Sequence, residues 1–133
     1  MPIYILDTNV WLERLLGQTR ADEVGRFLSA VPTCDLAITD FSFHSIALIM
    51  SRLGRFKDFL RFSKDLFSDG GVAVIRLSPD DMDVVDGAMT RYKLDFDDAY
   101  QYVAAGRPGT TFVSYDSDFD KTDLKRLTPS QAV

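Results

Sequence analysis

The chain has 133 residues, of which 46% are hydrophobic and 26% charged, and this balance predicts a single globular domain over residues 1–133. The formal net charge of −5 argues against a broad nucleic-acid-binding surface, because phosphates are attracted by positive potential. No apolar run approaches the ~18 residues of a membrane span, and the N-terminus lacks a signal-peptide pattern, so we expect a cytoplasmic protein without a membrane partner. A single cysteine excludes an internal disulfide and, with a single histidine, disfavours a zinc site; a catalytic Cys34–His44 pair is the weaker alternative.

The first predicted element is a buried strand, residues 3–6, that ends on Asp7. Four consecutive apolar residues favour a strand covered on both faces, as in the parallel sheets of α/β proteins. Ligands of such sheets bind at the carboxyl ends of the strands, which places Asp7 for chemistry. The alternative is that Asp7 or Asn9 only caps the helix that follows.

Helices and strands alternate along the rest of the chain. Hydrophobic periodicity and capping residues predict helices over residues 10–16, 21–31, 41–52, 56–67, 79–92 and 96–105, and strands over residues 36–38, 72–77 and 111–115. This alternation is typical of a mainly parallel sheet with right-handed crossovers.

The helix predicted over residues 56–67 carries more apolar residues than one buried face needs. Phe62 and Leu66 fall outside its predicted inner face, which consists of Phe56, Phe59, Leu60, Ser63 and Phe67. An exposed apolar patch beside Arg61 and Lys64 predicts a homodimer contact or a groove for a protein partner. Extra packing within the core is the alternative.

Acidic residues gather at three places: Asp7 after the first strand, the group Asp95, Asp97 and Asp98 at a helix start, and Asp116 with Asp118 after the last strand. Parallel strands would bring two of these places to one edge of the sheet. Like charges packed together either raise carboxylate pKa values or bind cations, and oxygen ligands favour Mg²⁺ or Mn²⁺. Each place alone is explained by helix capping or a polar turn, and their common placement favours a site.

Three short motifs follow one another in a specific order: Leu6-Asp7-Thr8-Asn9, Asp98-Ala99 leading into Ala104-Ala105, and Ser114-Tyr115-Asp116-Ser117-Asp118-Phe119. Together they resemble the PIN domain, especially the small VapC-type toxins, over essentially the whole chain. The resemblance implies a three-layer α/β/α fold with a mainly parallel sheet of about five strands.

The same resemblance implies a function. Asp7, Asp98 and Asp116 would be catalytic and, with Asp118, would hold Mg²⁺ or Mn²⁺, while Thr8 and Asn9 would be their polar neighbours. The implied activity is metal-dependent endoribonuclease cleavage of an RNA substrate by the toxin of a toxin–antitoxin pair, with a small antitoxin as partner. The apolar patch described above would serve a homodimer or the antitoxin.

One position departs from the family pattern. The second acid, a glutamate in a context like S-x-x-T-x-x-E, corresponds here to Ser45. His44 points about 100° away on a helix, and Asp40 is a candidate replacement from the helix cap, with Asp95 as a further accessory acid. The alternative function is therefore a catalytically weakened PIN-like module that binds RNA or protein.

Other classes fit less well. A haloacid-dehalogenase-like phosphatase expects a second aspartate two residues after the first, where this chain has Asn9. The chain also lacks the acidic pair of a receiver domain, a Walker loop and a dinucleotide glycine pattern.

Overall fold

A computed structural model describes residues 3–133, and it contains a parallel sheet of four strands in the order β3-β2-β1-β4. The strands are β1 (Ile3–Leu6), β2 (Leu36–Thr39), β3 (Ala73–Ile75) and β4 (Thr110–Val113). The helices are α1 (Thr8–Leu15), α2 (Ala21–Ala30), α3 (Asp40–Arg52), α4 (Phe56–Ser63), α5 (Met82–Tyr92) and α6 (Phe96–Ala105). The predicted α/β class with a parallel sheet is confirmed.

The sheet is covered on both faces, as the unbroken apolar run of β1 predicts. Leu6, Ile38 and Val113 enter a core shared with α1, α2, α3 and α4. Their neighbours Ile5 and Phe112 turn to the opposite face, where they pack with the end of α6. Successive strand residues point to opposite faces, so both faces are apolar only because both are buried.

The sheet has four strands within the described residues, rather than about five. A fifth position exists beside β4, where Leu127 forms an isolated parallel bridge with Val113. Its amide donates to the Phe112 carbonyl at 2.9 Å, and its carbonyl accepts from the Ser114 amide at 3.0 Å. The fifth strand is thus reduced to one paired residue.

The direction of the strands brings distant residues to one edge of the sheet. Leu6 is paired with Val113 in the parallel register, and the Asp7 amide donates to the Val113 carbonyl at 2.9 Å. Asp7 and Ser114 therefore leave the sheet side by side, although 107 residues separate them.

The predicted inner face of the helix at residues 56–67 is correct for Phe59 and Phe67 and wrong for Phe56 and Leu60. Phe56 and Leu60 are 44% and 54% exposed, whereas Phe59 and Leu66 are buried. Phe62 packs edge-on against Trp11, with ring centroids 5.5 Å apart. The helix ends at Ser63 and continues as a π-helical turn, Lys64–Asp69. Extra core packing, the alternative given above, accounts for Phe62 and Leu66.

None of the helices in the described part of the chain combines the length and the apolar character that a bilayer crossing requires.

Neighbouring residues of α4 allow this arrangement to be tested. Phe62→Ala removes the ring that packs on Trp11, so the free energy of unfolding should fall by about 2 kcal/mol or more. Leu60→Ala, the matched control on the exposed face, should change it by less than about 0.5 kcal/mol. Urea denaturation measures both, and the opposite ranking would restore the originally predicted face.

Candidate metal centre

Asp7 lies at the end of β1 with its side chain 6% exposed. One carboxylate oxygen, Oδ1, accepts from the Thr8 amide at 2.8 Å and from Gln101 Nε2 at 3.0 Å. The other, Oδ2, accepts from Ser114 Oγ at 2.7 Å and from Asn9 Nδ2 at 3.1 Å. Asp7 therefore does cap α1, and the same carboxylate is held in place by side chains from α6 and from the end of β4.

Opposing effects act on the Asp7 carboxyl. Burial raises its pKa, and the hydrogen bonds from Ser114, Gln101 and Thr8 lower it. The negative charge of Asp116 raises it further. Burial is the largest of these influences, so the pKa of Asp7 lies above its usual value.

Gln101 and Ser114 support the site in ways that the sequence did not reveal. Gln101 is 3% exposed and donates to Ser42 Oγ at 2.9 Å as well as to Asp7, while its Oε1 accepts from Thr39 Oγ1 at 2.5 Å. A glutamine three residues after Asp98, beyond the acidic first turn of α6, was the available signal. Ser114 begins the motif that contains Asp116 and Asp118, but its contact with Asp7 depends on the strand register.

A second group of acids lies close together in the structure. Asp98 comes from the first turn of α6, and Asp116 and Asp118 come from the segment after β4. A carboxylate oxygen of each lies within 4.8 Å of the others. The Asp118 amide also donates to Asp116 Oδ1 at 2.9 Å, so the polar-turn interpretation holds together with the cluster. Three carboxylates supply oxygen ligands, which are the ligands that Mg²⁺ and Mn²⁺ prefer.

Burial and neighbouring charges act together on the Asp98 carboxyl. Burial, followed by the negative charges of Asp97, Asp116, Asp7 and Asp118, raises the pKa of Asp98 from 3.8 to about 7. A cation among these carboxylates would favour the ionised form and reverse that shift.

The acids line one side of a cavity of about 350 Å³, referred to below as the acidic cavity. Its polar lining consists of Asp7, Thr8, Asn9, Ser45, Asp97, Asp98, Gln101 and Asp116, and its apolar lining consists of Leu12, Phe41 and Ile49. Ser45 thus faces the same cavity as the acids.

Two predicted accessory acids lie elsewhere. Asp40 accepts from the Tyr100 hydroxyl at 2.6 Å and lies 3.7 Å from Arg76, in a neighbouring cavity. This corrects the hypothesis that Asp40 replaces the missing acid, because its carboxylate is engaged away from Asp7. Asp95 is exposed at the start of α6, where its backbone carbonyl accepts from the Ala99 amide.

The weaker catalytic alternative also finds no support in the described residues. Cys34 is exposed and its thiol contacts the carboxylate of Asp35. His44 is exposed on α3 and lines the same neighbouring cavity as Asp40.

Comparison with known families gives one match by sequence. A family model described as the PIN domain matches residues 4–125. No curated protein matches the chain.

Several solved structures have the same fold. A toxin–antitoxin complex from Klebsiella pneumoniae has 20% identity and a TM-score of 0.73, covering 95% of this chain and 97% of that one. VapC20 from Mycobacterium tuberculosis, described as a sarcin-ricin loop cleaving toxin, has 15% identity and a TM-score of 0.75, covering 93% and 98%. FitAcB from Neisseria gonorrhoeae has 17% identity and a TM-score of 0.74, covering 96% and 99%. At these identities the likeness shows the fold alone.

The raised pKa of Asp98 predicts how the metal-free protein responds to pH. Between pH 3.8 and about 7 the folded protein holds a proton that the unfolded chain releases, so the free energy of unfolding should fall as pH rises. Asp98→Asn should flatten this slope, and Asp86→Asn, an exposed acid on α5, should leave it unchanged. Denaturation in EDTA at a series of pH values measures the slope. Equal slopes in wild type and Asp98→Asn would contradict the charge conflict at Asp98.

Proposed function

The chain belongs to the PIN domain family, and from this premise we propose that it is a divalent-cation-dependent endoribonuclease, the toxin of a toxin–antitoxin pair. The observation that carries the proposal is the convergence of Asp98, Asp116 and Asp118 within 4.8 Å beside the buried Asp7. Within the described residues, no other group of three potential metal ligands lies so close together.

The acids would hold one or two Mg²⁺ or Mn²⁺ ions, with Asp98, Asp116 and Asp118 as direct ligands and Asp7 completing the negative field. A cation held there would neutralise negative charge on the phosphodiester and would lower the pKa of a water molecule, the chemistry that hydrolysis requires. Asp98 gives up its carboxyl proton when the cation binds, because its pKa in the metal-free protein is about 7. Cation affinity should therefore increase with pH in this range.

The neutral residues position the acids. Asn9 donates to Asp7 Oδ2, and its Oδ1 accepts from the Tyr115 amide at 3.1 Å. The chain segment that leads to Asp116 is thereby fixed relative to Asp7. Thr8 lies on the other side, with its hydroxyl 2.7 Å from Ser42 Oγ, and this contact joins α1 to α3.

The partners follow from the relatives. The similarity to a toxin–antitoxin complex and to a toxin described as cleaving the sarcin-ricin loop supports an antitoxin partner and an RNA substrate. A cytoplasmic location would give access to such RNA.

A homodimer or antitoxin contact would need a surface other than Phe62 and Leu66, because these two residues pack in the core. The exposed apolar residues of this region are Leu53, Phe56 and Leu60, and we propose them instead.

A second function follows from Ser45. The acidic cavity has a hydroxyl where the family pattern has a carboxylate, so its cation affinity should be weaker than that of a complete site. If affinity is too weak for turnover, the chain is a PIN-like module that binds RNA or protein. Metal-dependent turnover distinguishes the two functions.

The proposed nuclease activity is tested with purified protein and RNA in Mn²⁺ or Mg²⁺. Wild type should cleave, and EDTA should stop it. Asp116→Asn keeps the side-chain shape but removes a ligand charge, so the rate should fall by about 10²-fold or more, as on loss of one electrostatic stabiliser. Asp7→Asn should act similarly. Asp86→Asn is the matched control, and equal activity in all three variants would show that the cleavage comes from elsewhere.

The role of Ser45 is tested by restoring the charge. Ser45→Glu should tighten Mn²⁺ binding about tenfold in calorimetry, a change of 1.4 kcal/mol. The variant should also lower the stability of the metal-free protein, because a like charge joins a repulsive cluster. Ser45→Gln, of the same size without the charge, should do neither. Identical behaviour of the two variants would show that residue 45 does not contribute to the electrostatics of the acidic cavity.

A further inference from the structure

A second cavity, of about 340 Å³, adjoins the acidic cavity and is lined mainly by rings and apolar groups. Its lining consists of Asp40, Phe41, His44, Ser45, Leu48 and Tyr100, and it is called the aromatic cavity below. Phe41 and Ser45 line both cavities and lie about one turn apart on α3. The two cavities therefore lie next to each other along α3.

Phe41 and Tyr100, which line the aromatic cavity, form a contiguous group of rings with Phe96. The centroid of Phe41 lies 5.4 Å from that of Tyr100 and 5.9 Å from that of Phe96, and the last two are 6.0 Å apart. Tyr100 is buried, whereas Phe96 is 43% exposed. Leu48, 51% exposed, adds apolar surface at the rim. Apolar surface is thus exposed to solvent at Leu48 and Phe96, while Phe41 is partly exposed.

The aromatic group is rigid because its polar tip is fully engaged. The Tyr100 hydroxyl donates to Asp40 Oδ1 at 2.6 Å and accepts from the Leu77 amide at 3.0 Å. Asp40 in turn lies 3.7 Å from Arg76, whose side chain is 76% exposed. A ring held in this way loses little conformational freedom when a ligand stacks on it.

We propose that the aromatic cavity binds the base of a nucleotide next to the scissile phosphate, so that the substrate is RNA whose base at this position is unpaired. The inference rests on the proposed nuclease function. An occupant that spans both cavities carries an anionic group at the acids and a flat ring one step away, which describes a nucleotide. Arg76, whose exposed side chain lies 3.7 Å from Asp40, would supply positive charge for an adjacent phosphate.

Base pairing would prevent this contact. A base in a duplex is stacked on its neighbours, whereas single-stranded RNA can extend a base onto aromatic side chains. Stacking tolerates every base, because each has a π-face, so the cavity would select unpaired structure more than sequence. Hydrogen-bonding groups of Asp40 and His44 line the same cavity and would add a preference among bases.

The test uses a single-stranded RNA in which one nucleotide at a time, on either side of the mapped cleavage bond, is replaced by an abasic nucleotide. For wild type, one flanking position should lose about tenfold or more in kcat/KM, the size of one base–aromatic stack. In Phe41→Leu the same abasic replacement should cost much less, because the ring is already missing. Val84→Ala, at an exposed apolar residue of α5, should respond as wild type does.

A second variant guards against a folding defect. Leu48→Glu places a charge at the exposed rim and should also weaken the response to the flanking base. If wild type cleaves equally well with an abasic nucleotide at every flanking position, the proposal is overturned. A protein segment would then be the remaining occupant of the aromatic cavity.

Binding of the same oligonucleotides, scanned by fluorescence anisotropy in Mn²⁺, separates this inference from the nuclease proposal. In one outcome, wild type cleaves no RNA but binds the intact strand about tenfold better than one abasic strand, and Phe41→Leu loses that difference. This outcome would refute nuclease activity and support the base site. In the other outcome, wild type cleaves RNA but binds and turns over intact and abasic strands equally well. This outcome would support nuclease activity and refute the base site.

Discussion

The burial of the Asp7 carboxylate is the constraint on which the site depends. An ionised carboxylate taken out of water costs several kcal/mol unless hydrogen bonds replace its hydration. Here the donors come from the start of α1, from α6 and from the end of β4. Satisfying one side chain therefore holds together segments up to 107 residues apart in sequence. The same donors orient the edge of the sheet at which the other acids emerge.

The proposed cation binding and the stability of the metal-free protein are linked at this edge of the sheet. Asp98, Asp116 and Asp118 repel one another at short range, and burial together with the neighbouring negative charges raises the pKa of Asp98. A cation would relieve it, so binding energy and folding stability are coupled in the cluster. The neutral Ser45 reduces the repulsion in the metal-free protein and, by the same physics, the attraction for the ion. The two effects have one electrostatic origin.

Much of the fold and part of the site could be predicted from sequence because their signals are local. Unbroken apolar runs gave the strands that end near Asp7 and Asp116, and periodicity gave α6 with its residues 96–105. The role of Gln101 could not be predicted, because the residues with which it forms hydrogen bonds lie far away in sequence. In α4, apolar residues allow two equally good helical stripes, and packing against Trp11 decides between them. The shortened fifth strand likewise depends on the tertiary pairing of Leu127. The catalytic roles of the acids stay predictions.

The central claim, that these acids form a divalent-cation site, is tested most directly by crystals grown with MnCl₂ and measured for anomalous scattering. The account predicts a manganese peak in the acidic cavity, coordinated by oxygens of Asp98 and Asp116 and by either Asp118 or water. An absent peak there at saturating Mn²⁺, or a peak bound only at other residues while RNA cleavage still requires the metal, would contradict it.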